Sequence, residues 1–232
     1  MKKIINLSLL IWIFINSIKA ELLELNLARL KLFLLKKDTY IIDTRDNTIS
    51  SKGYIQNSLI LPLTMDFTKW LSLLVNKGAK IVLICDINNY IAAKTKASEI
   101  AGYIYEGYAI YDNIIRQGDI KIITANYNEN TKKDVEKLVK DKKYIVDIRE
   151  IEEYRETGVI KEANLIPLST FKENYKKLPK SKDIYVFCKS GGRALLAMSY
   201  ARRLGCGNKF YIMRGGMKKT IEEGYILAPY SD

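Results

Sequence analysis

One cysteine-containing loop offers the clearest chemistry in this amino-acid sequence. The apolar run Ile184–Phe187 leads directly into Cys188-Lys-Ser-Gly-Gly-Arg193, and a strongly helical pattern follows. Backbone N–H groups at the start of a helix lack intrahelical partners, and together with the helix dipole they attract negative charge. The two glycines let the loop curl so that several N–H groups face one point. We therefore expect Cys188 to be a nucleophilic thiolate, rather than an apolar strand-end cysteine before an ordinary turn.

The loop also supplies the candidate substrate-binding groups. They are Lys189, Ser190, Gly191, Gly192 and Arg193. The positive charges of Lys189 and Arg193 favour a small anionic substrate. Arg149, at the end of another apolar run, is a further candidate. An ion pair with a nearby carboxylate such as Glu150 or Glu153 would explain Arg149 equally well.

The composition narrows the chemistry further. The 232 residues include no histidine, which excludes imidazole acid–base catalysis, histidine-dependent triads and the commonest zinc sites. We expect no metal and no cofactor. The net charge of +12 comes from scattered lysines that form no single stripe, so no nucleic-acid partner is expected.

The amino-terminal residues 1–20 are predicted to be a signal peptide. Lys2 and Lys3 precede an apolar run over residues 4–15, and Ala20 offers a cleavage site. The run is short for a membrane span, which takes about 20 apolar residues. A periplasmic or secreted protein without stable membrane insertion is therefore expected, with an uncleaved anchor or an ordinary first helix as the alternatives.

The chain contains two copies of one pattern about a hundred residues apart, which is the size of a duplicated domain. The matching segments are Tyr40–Arg45 with Tyr144–Arg149, Gly53–Ile55 with Gly158–Ile160, Leu59–Leu63 with Asn164–Leu168, and Ile81–Cys85 with Ile184–Cys188. Strands alternate with helices, which predicts an α/β fold in which each domain has a parallel sheet with helices on both faces. We expect a first domain over residues 21–123, a polar linker over 124–130 and a second domain over 131–232.

The cysteine loop resembles the active-site loop of the rhodanese (sulfurtransferase) family, whose pattern is Cys-x-x-Gly-x-Arg/Thr. Cys188, Gly191 and Arg193 fill its fixed positions. Further matching segments are Asp147-Ile-Arg149, Tyr154, Gly158-Val-Ile160, Ile166-Pro167-Leu168 and Arg214-Gly-Gly-Met217. The family often has histidine near the positions of Tyr54 and Val159, in a segment that is mainly structural. The resemblance covers the second half closely and the first half loosely, which implies a tandem form.

This resemblance implies that Cys188 takes sulfur from a donor such as thiosulfate, becomes a persulfide, and passes the sulfur to cyanide or a thiol. A persulfide carrier or thiol relay, and a non-catalytic binding module, remain the alternatives. Phosphatases of the related cell-cycle family hold phosphate in a loop with five residues between cysteine and arginine. Only four residues separate Cys188 from Arg193, which disfavours a phosphatase.

The equivalent loop of the first half, Cys85-Asp-Ile-Asn-Asn-Tyr90, is degenerate. It has no glycine, Asp86 stands beside the cysteine, and Tyr90 replaces the arginine. Because the neighbouring negative charge disfavours a thiolate, we expect a raised pKa for Cys85 and an inactive first domain that packs on the second and shapes its cleft. A sulfur relay through Cys85 is the alternative. Cys206 is expected to be an incidental turn residue, and an odd number of cysteines favours at least one free thiol.

Overall fold

A computed structural model describes residues 23–231 of the chain. The predicted signal peptide, residues 1–20, lies outside the described residues. Within residues 23–231, no helix is long and apolar enough to cross a membrane.

The secondary structure follows the repeated strand–helix order that the sequence predicts. The first half contains α1 (Leu27–Leu34), β1 (Thr39–Asp43), α2 (Asn47–Ser50), β2 (Tyr54–Ile55), β3 (Leu59–Ile60), α3 (Phe67–Leu74), β4 (Lys80–Cys85), α4 (Tyr90–Glu99), β5 (Ile104–Ile110), α5 (Tyr111–Arg116) and β6 (Ile122–Ile123). The second half contains β7 (Asn126–Asn128), α6 (Lys132–Lys140), β8 (Tyr144–Asp147), α7 (Ile151–Thr157), β9 (Asn164–Leu165), α8 (Phe171–Asn174), β10 (Ile184–Phe187), α9 (Gly192–Arg203), β11 (Phe210–Met213) and α10 (Gly216–Glu222). Short 3₁₀ turns, Leu168–Thr170 and Tyr175–Lys177, flank α8.

Two parallel sheets form the framework. The first has the strand order β3–β1–β4–β5, and the second has the order β9–β8–β10–β11–β7. The central strands are continuous apolar runs because each sheet is buried on both faces. The predicted α/β class, with helices flanking parallel sheets, is confirmed.

The duplicated pattern in the sequence corresponds to a duplicated strand order. The order β3–β1–β4–β5 of the first sheet corresponds to the order β9–β8–β10–β11 of the second. The second sheet has one more edge strand, β7, beside β11. At the equivalent edge of the first sheet, Glu24 forms an isolated parallel bridge to Tyr108. Residues 124–130 are therefore not only a linker, because β7 lies within them and belongs to the second sheet.

One cluster of buried apolar residues contains residues of both halves, and α9 contributes several of them. Residues 194–201 of α9 are all buried, as expected for a helix enclosed on every side. The Ser199 hydroxyl accepts a hydrogen bond from the Ile60 N–H of the first sheet at 3.0 Å. Arg203 donates to the Thr39 carbonyl at 2.7 Å. The first half thus holds the helix that follows the cysteine loop.

Candidate active site

Cys188 lies at the carboxyl end of β10, immediately before the start of α9. Its side chain is buried, and the Gly191 N–H donates a hydrogen bond to Sγ at 3.0 Å. Gly191 has a φ of 109°, a left-handed conformation that residues with a side chain rarely adopt. The loop therefore turns back on itself, and a backbone N–H at a helix start faces the sulfur, as the sequence predicts.

A second turn clamps the cysteine loop from its other side. The Met217 N–H donates to the Cys188 carbonyl at 2.8 Å, and the Lys218 N–H donates to the Lys189 carbonyl at 3.1 Å. Gly216 makes this approach possible, since a Cβ there would lie 2.4 Å from the Cys188 carbonyl oxygen. The start of α10 therefore fixes the backbone of Cys188 and Lys189.

Arg193 is held by Glu153 of α7. Its Nη1 and Nη2 donate to the two carboxylate oxygens at 2.5 Å and 2.7 Å. Burial would lower the pKa of Arg193, but the Glu153 hydrogen bond and the nearby Cys188 raise it above its ordinary value. Burial would raise the pKa of Glu153, yet the Arg193 hydrogen bond lowers it overall. The guanidinium is thus permanently charged and fixed beside the loop.

We expect Glu153→Gln to lower the free energy of unfolding by about 1–2 kcal/mol at neutral pH, because an amide cannot accept two charged hydrogen bonds. The pKa of Glu153 is lowered from 4.5, so the carboxylate stabilises the fold above that pH. This contribution is lost as the pH falls through the lower, folded pKa. Urea unfolding across the acid range should therefore show the wild type and the variant converging at low pH.

The matched control is Glu152→Gln, which changes an exposed carboxylate on the same helix. We expect little change in stability from this variant at any pH. Equal losses for the two variants would contradict a specific role for the Glu153–Arg193 pair.

Arg149 is buried in an ion pair, which favours the structural alternative over its predicted part in substrate binding. Its guanidinium forms an ion pair with Asp147 at 2.7 Å and also donates to the Gly158 carbonyl and the Thr157 hydroxyl. The side chain is only 3% exposed. The partner is also not Glu150 or the Glu153 carboxylate, which the sequence offered as the alternative. Arg149 instead braces the segment after α7.

The first half contains the equivalent ion pair and backbone hydrogen bond. Arg45 pairs with Asp43 at 2.7 Å and donates to the Gly53 carbonyl at 2.7 Å. The same Asp-x-Arg spacing therefore performs the same structural task in both halves. Because the pair is present in both halves although their cysteine loops differ in sequence, it does not depend on the type of loop.

A cleft of about 860 Å³ opens over the cysteine loop, between the two halves. It is lined by Asn47, Thr48, Ser51, Lys52, Thr64, Met65, Thr124, Ala125, Tyr127, Ser190, Gly191, Gly192, Arg193, Leu195, Arg214 and Gly215. The prediction that the first half packs on the second and shapes its cleft is confirmed. None of the lining residues, all within the described chain, is an aspartate or glutamate, so the cleft suits an anion.

The cleft brings together four of the predicted binding residues, Ser190, Gly191, Gly192 and Arg193. Cys188 lies beneath them and is 1% exposed. Lys189 is exposed but is not among the lining residues. Its part in binding stays a prediction.

The degenerate loop of the first half is filled by its own carboxylate. Asp86 accepts hydrogen bonds from the N–H groups of Asn88 and Asn89 at 2.8 Å and 2.9 Å. These backbone donors occupy positions like those that face an anion in a reactive loop. Because Asp86 already satisfies them, they are not available to a sulfur anion.

Cys85 is held in its protonated form. Burial raises the pKa of its thiol to about 12, with smaller contributions from Asp43 and Asp86, so it stays protonated at neutral pH. The predicted direction is confirmed, although burial rather than Asp86 is the main cause. Burial also raises the pKa of Cys206. All three cysteines are free.

Comparison with known proteins agrees with this geometry. The model of the Rhodanese-like domain family matches residues 131–223, which carry the cysteine loop and its clamp. A protein named Sulfurtransferase from Allochromatium vinosum is 31% identical over 86 residues, covering 37% of this chain and 78% of that protein. The chain belongs to the rhodanese family. The uncharacterized protein YqhL of Bacillus subtilis is 35% identical over 78 residues, and the chain spans 60% of its length.

Among solved structures, a rhodanese-related protein from Thermoplasma volcanium is 28% identical to this rhodanese. The alignment has a TM-score of 0.40 and covers 45% of this chain and 99% of that one.

Several residues of the candidate site were not predicted from the sequence. They are Glu153 as the partner of Arg193, and Asn47, Thr48, Ser51 and Lys52 as the opposite wall of the cleft. The wall depends on how the two halves pack, for which the sequence carries no local signal.

Proposed function

We propose that the protein is a sulfurtransferase that moves sulfane sulfur from thiosulfate, through a persulfide on Cys188, to cyanide or a thiol. The observation that carries this proposal is the hydrogen bond from the Gly191 N–H to Cys188 Sγ at the start of α9. Such a backbone donor stabilises a sulfur anion without any histidine. Membership of the rhodanese family and the similarity to a named sulfurtransferase support it.

In the first step, the Cys188 thiolate attacks the outer sulfur of thiosulfate. The sulfur–sulfur bond of the donor breaks, and sulfite leaves with the bonding electron pair. Cys188 becomes an anionic persulfide, so the total charge is unchanged. The loop N–H groups and the fixed charge of Arg193 stabilise the negative charge that remains.

In the second step, cyanide or a thiolate attacks the outer sulfur of the persulfide. The bond between that sulfur and Cys188 Sγ breaks, and its electron pair returns to Sγ. Thiocyanate or a new persulfide leaves, and the enzyme is restored. No oxidant, metal or cofactor enters the balance.

The test is steady-state turnover of the protein beginning at Glu21 with thiosulfate and cyanide. We expect sulfite and thiocyanate to appear in equal amounts and to show saturation in thiosulfate. Absence of both products would reject thiosulfate:cyanide transfer. The use of residues 21–232 reflects a second part of the proposal, namely that residues 1–20 direct export and are removed. Amino-terminal sequencing of the protein secreted by its own host tests that part.

A further inference from the structure

The cleft is much larger than the reaction with inorganic ions requires. Thiosulfate and cyanide contain only a few atoms, whereas the cleft has a volume of about 860 Å³, in the range of sites for drug-sized ligands. Its far wall comes from α2 and the residues that follow it in the first half, residues 23–123, which is named the silent half for its degenerate cysteine loop. The excess volume therefore lies between the loop and the first half.

Charge in the cleft is distributed unequally between the halves. Arg193 forms an ion pair with Glu153, and Arg214 forms one with Glu129 at 3.0 Å. Lys52 lines the cleft and forms no ion pair with any of residues 23–231. The uncompensated positive charge of the cleft lining is therefore supplied by the silent half.

Asn47 adds a directional polar group to the same wall. Its side chain reaches the cysteine loop, because a Cβ on Gly192 would lie 2.7 Å from Asn47 Nδ2. Its Oδ1 is buried and has no hydrogen-bond partner among the described residues. A buried amide oxygen without a hydrogen-bond donor lowers the stability of the fold, and an N–H group of a ligand would supply the missing hydrogen bond.

We propose that the silent half selects the sulfur acceptor, and that this acceptor is a carboxylate-bearing, peptide-like thiol. Lys52 attracts the carboxylate, Asn47 accepts from an amide N–H, and the thiolate lies over the loop. The thiolate attacks the outer sulfur of the Cys188 persulfide, the Cys188 Sγ–sulfur bond breaks, and its electron pair returns to Sγ. This inference rests on the proposed function and adds the class of acceptor.

The test uses protein that is first loaded with sulfur by thiosulfate and then freed of donor. Loss of the persulfide is followed in single turnovers with glutathione, glutathione dimethyl ester and 2-mercaptoethanol. We expect Lys52→Gln to slow the reaction with glutathione about fivefold and to leave unaffected the two thiols that lack a carboxylate. The difference should shrink at high salt.

Asn47→Ala tests the hydrogen bond to the amide N–H of the acceptor separately from the attraction between Lys52 and the carboxylate. It should slow glutathione and its dimethyl ester alike by about fivefold, and leave 2-mercaptoethanol unaffected. Lys161→Gln, which changes an exposed lysine outside the cleft lining, is the control and should alter none of the rates.

The outcomes separate this inference from the proposed function. Failure of the protein to load sulfur would reject the proposed function and the inference with it. Normal loading, followed by equal effects of Lys52→Gln on all three thiols or by none, would overturn only the inference.

Discussion

Cys188→Ser is expected to abolish sulfur transfer, lowering kcat/KM for thiosulfate by at least about 1000-fold. A hydroxyl in the same position is a far weaker nucleophile, and it cannot form a persulfide. The fold should persist, because serine is slightly smaller and its oxygen can still accept from the Gly191 N–H. Thiocyanate production and urea unfolding of the same preparation test both parts.

Cys85→Ser is the matched control, since Cys85 occupies the equivalent strand end of the first half. Its thiol, with a pKa raised to about 12, stays protonated under assay conditions, and Asp86 fills the adjoining loop. Turnover should therefore be unchanged. A large loss in this variant would favour the sulfur relay through Cys85 that the sequence left open.

Gly216→Ala is expected to lower the free energy of unfolding by about 3–5 kcal/mol and kcat/KM by about 100-fold. The new Cβ would lie 2.4 Å from the Cys188 carbonyl oxygen and 2.7 Å from the Lys189 carbonyl carbon. Backbone atoms cannot swing aside, so α10 and the cysteine loop must separate. The clamp from the Met217 N–H would be lost, and the sulfur would move relative to its backbone donor.

Gly224→Ala distinguishes this steric effect from backbone strain. Gly224 also has a positive φ of 81°, but a Cβ there meets nothing within 4 Å. We expect a loss of about 1–2 kcal/mol and normal turnover. Comparable losses of activity in the two variants would show that the clamp does not position the nucleophile.

The sequence was sufficient for those features that depend on short segments. Continuous apolar runs predict buried parallel strands. The spacing of Thr131 and Asp134 predicts a capping box at the start of α6, and both of its hydrogen bonds form. The cysteine loop was also predictable, because its glycines and the following helix are contiguous. The helical pattern of the sequence predicts a start at Ala194, whereas α9 begins at Gly192, since the last glycine of the loop already adopts helical geometry.

Features that depend on distant residues were not predictable in this way. Glu153 and Arg193 are 40 positions apart, and α7 must pack beside the loop before they can meet. A structural role for Arg149 could have been inferred from the sequence, because the spacing Asp-x-Arg occurs in both halves, including the half whose cysteine loop is degenerate. A feature shared with a copy whose cysteine loop is degenerate points to a structural role rather than a catalytic one.

The most direct test of Cys188 as the sulfur-carrying nucleophile is the intact mass of the protein after treatment with thiosulfate, followed by peptide mapping and a cyanide chase. We predict a gain of one sulfur atom, located on the peptide that contains Cys188 and removed by cyanide. A protein of unchanged mass, or a sulfur atom located on Cys85 or Cys206, would contradict the assignment of Cys188 as the sulfur-carrying nucleophile.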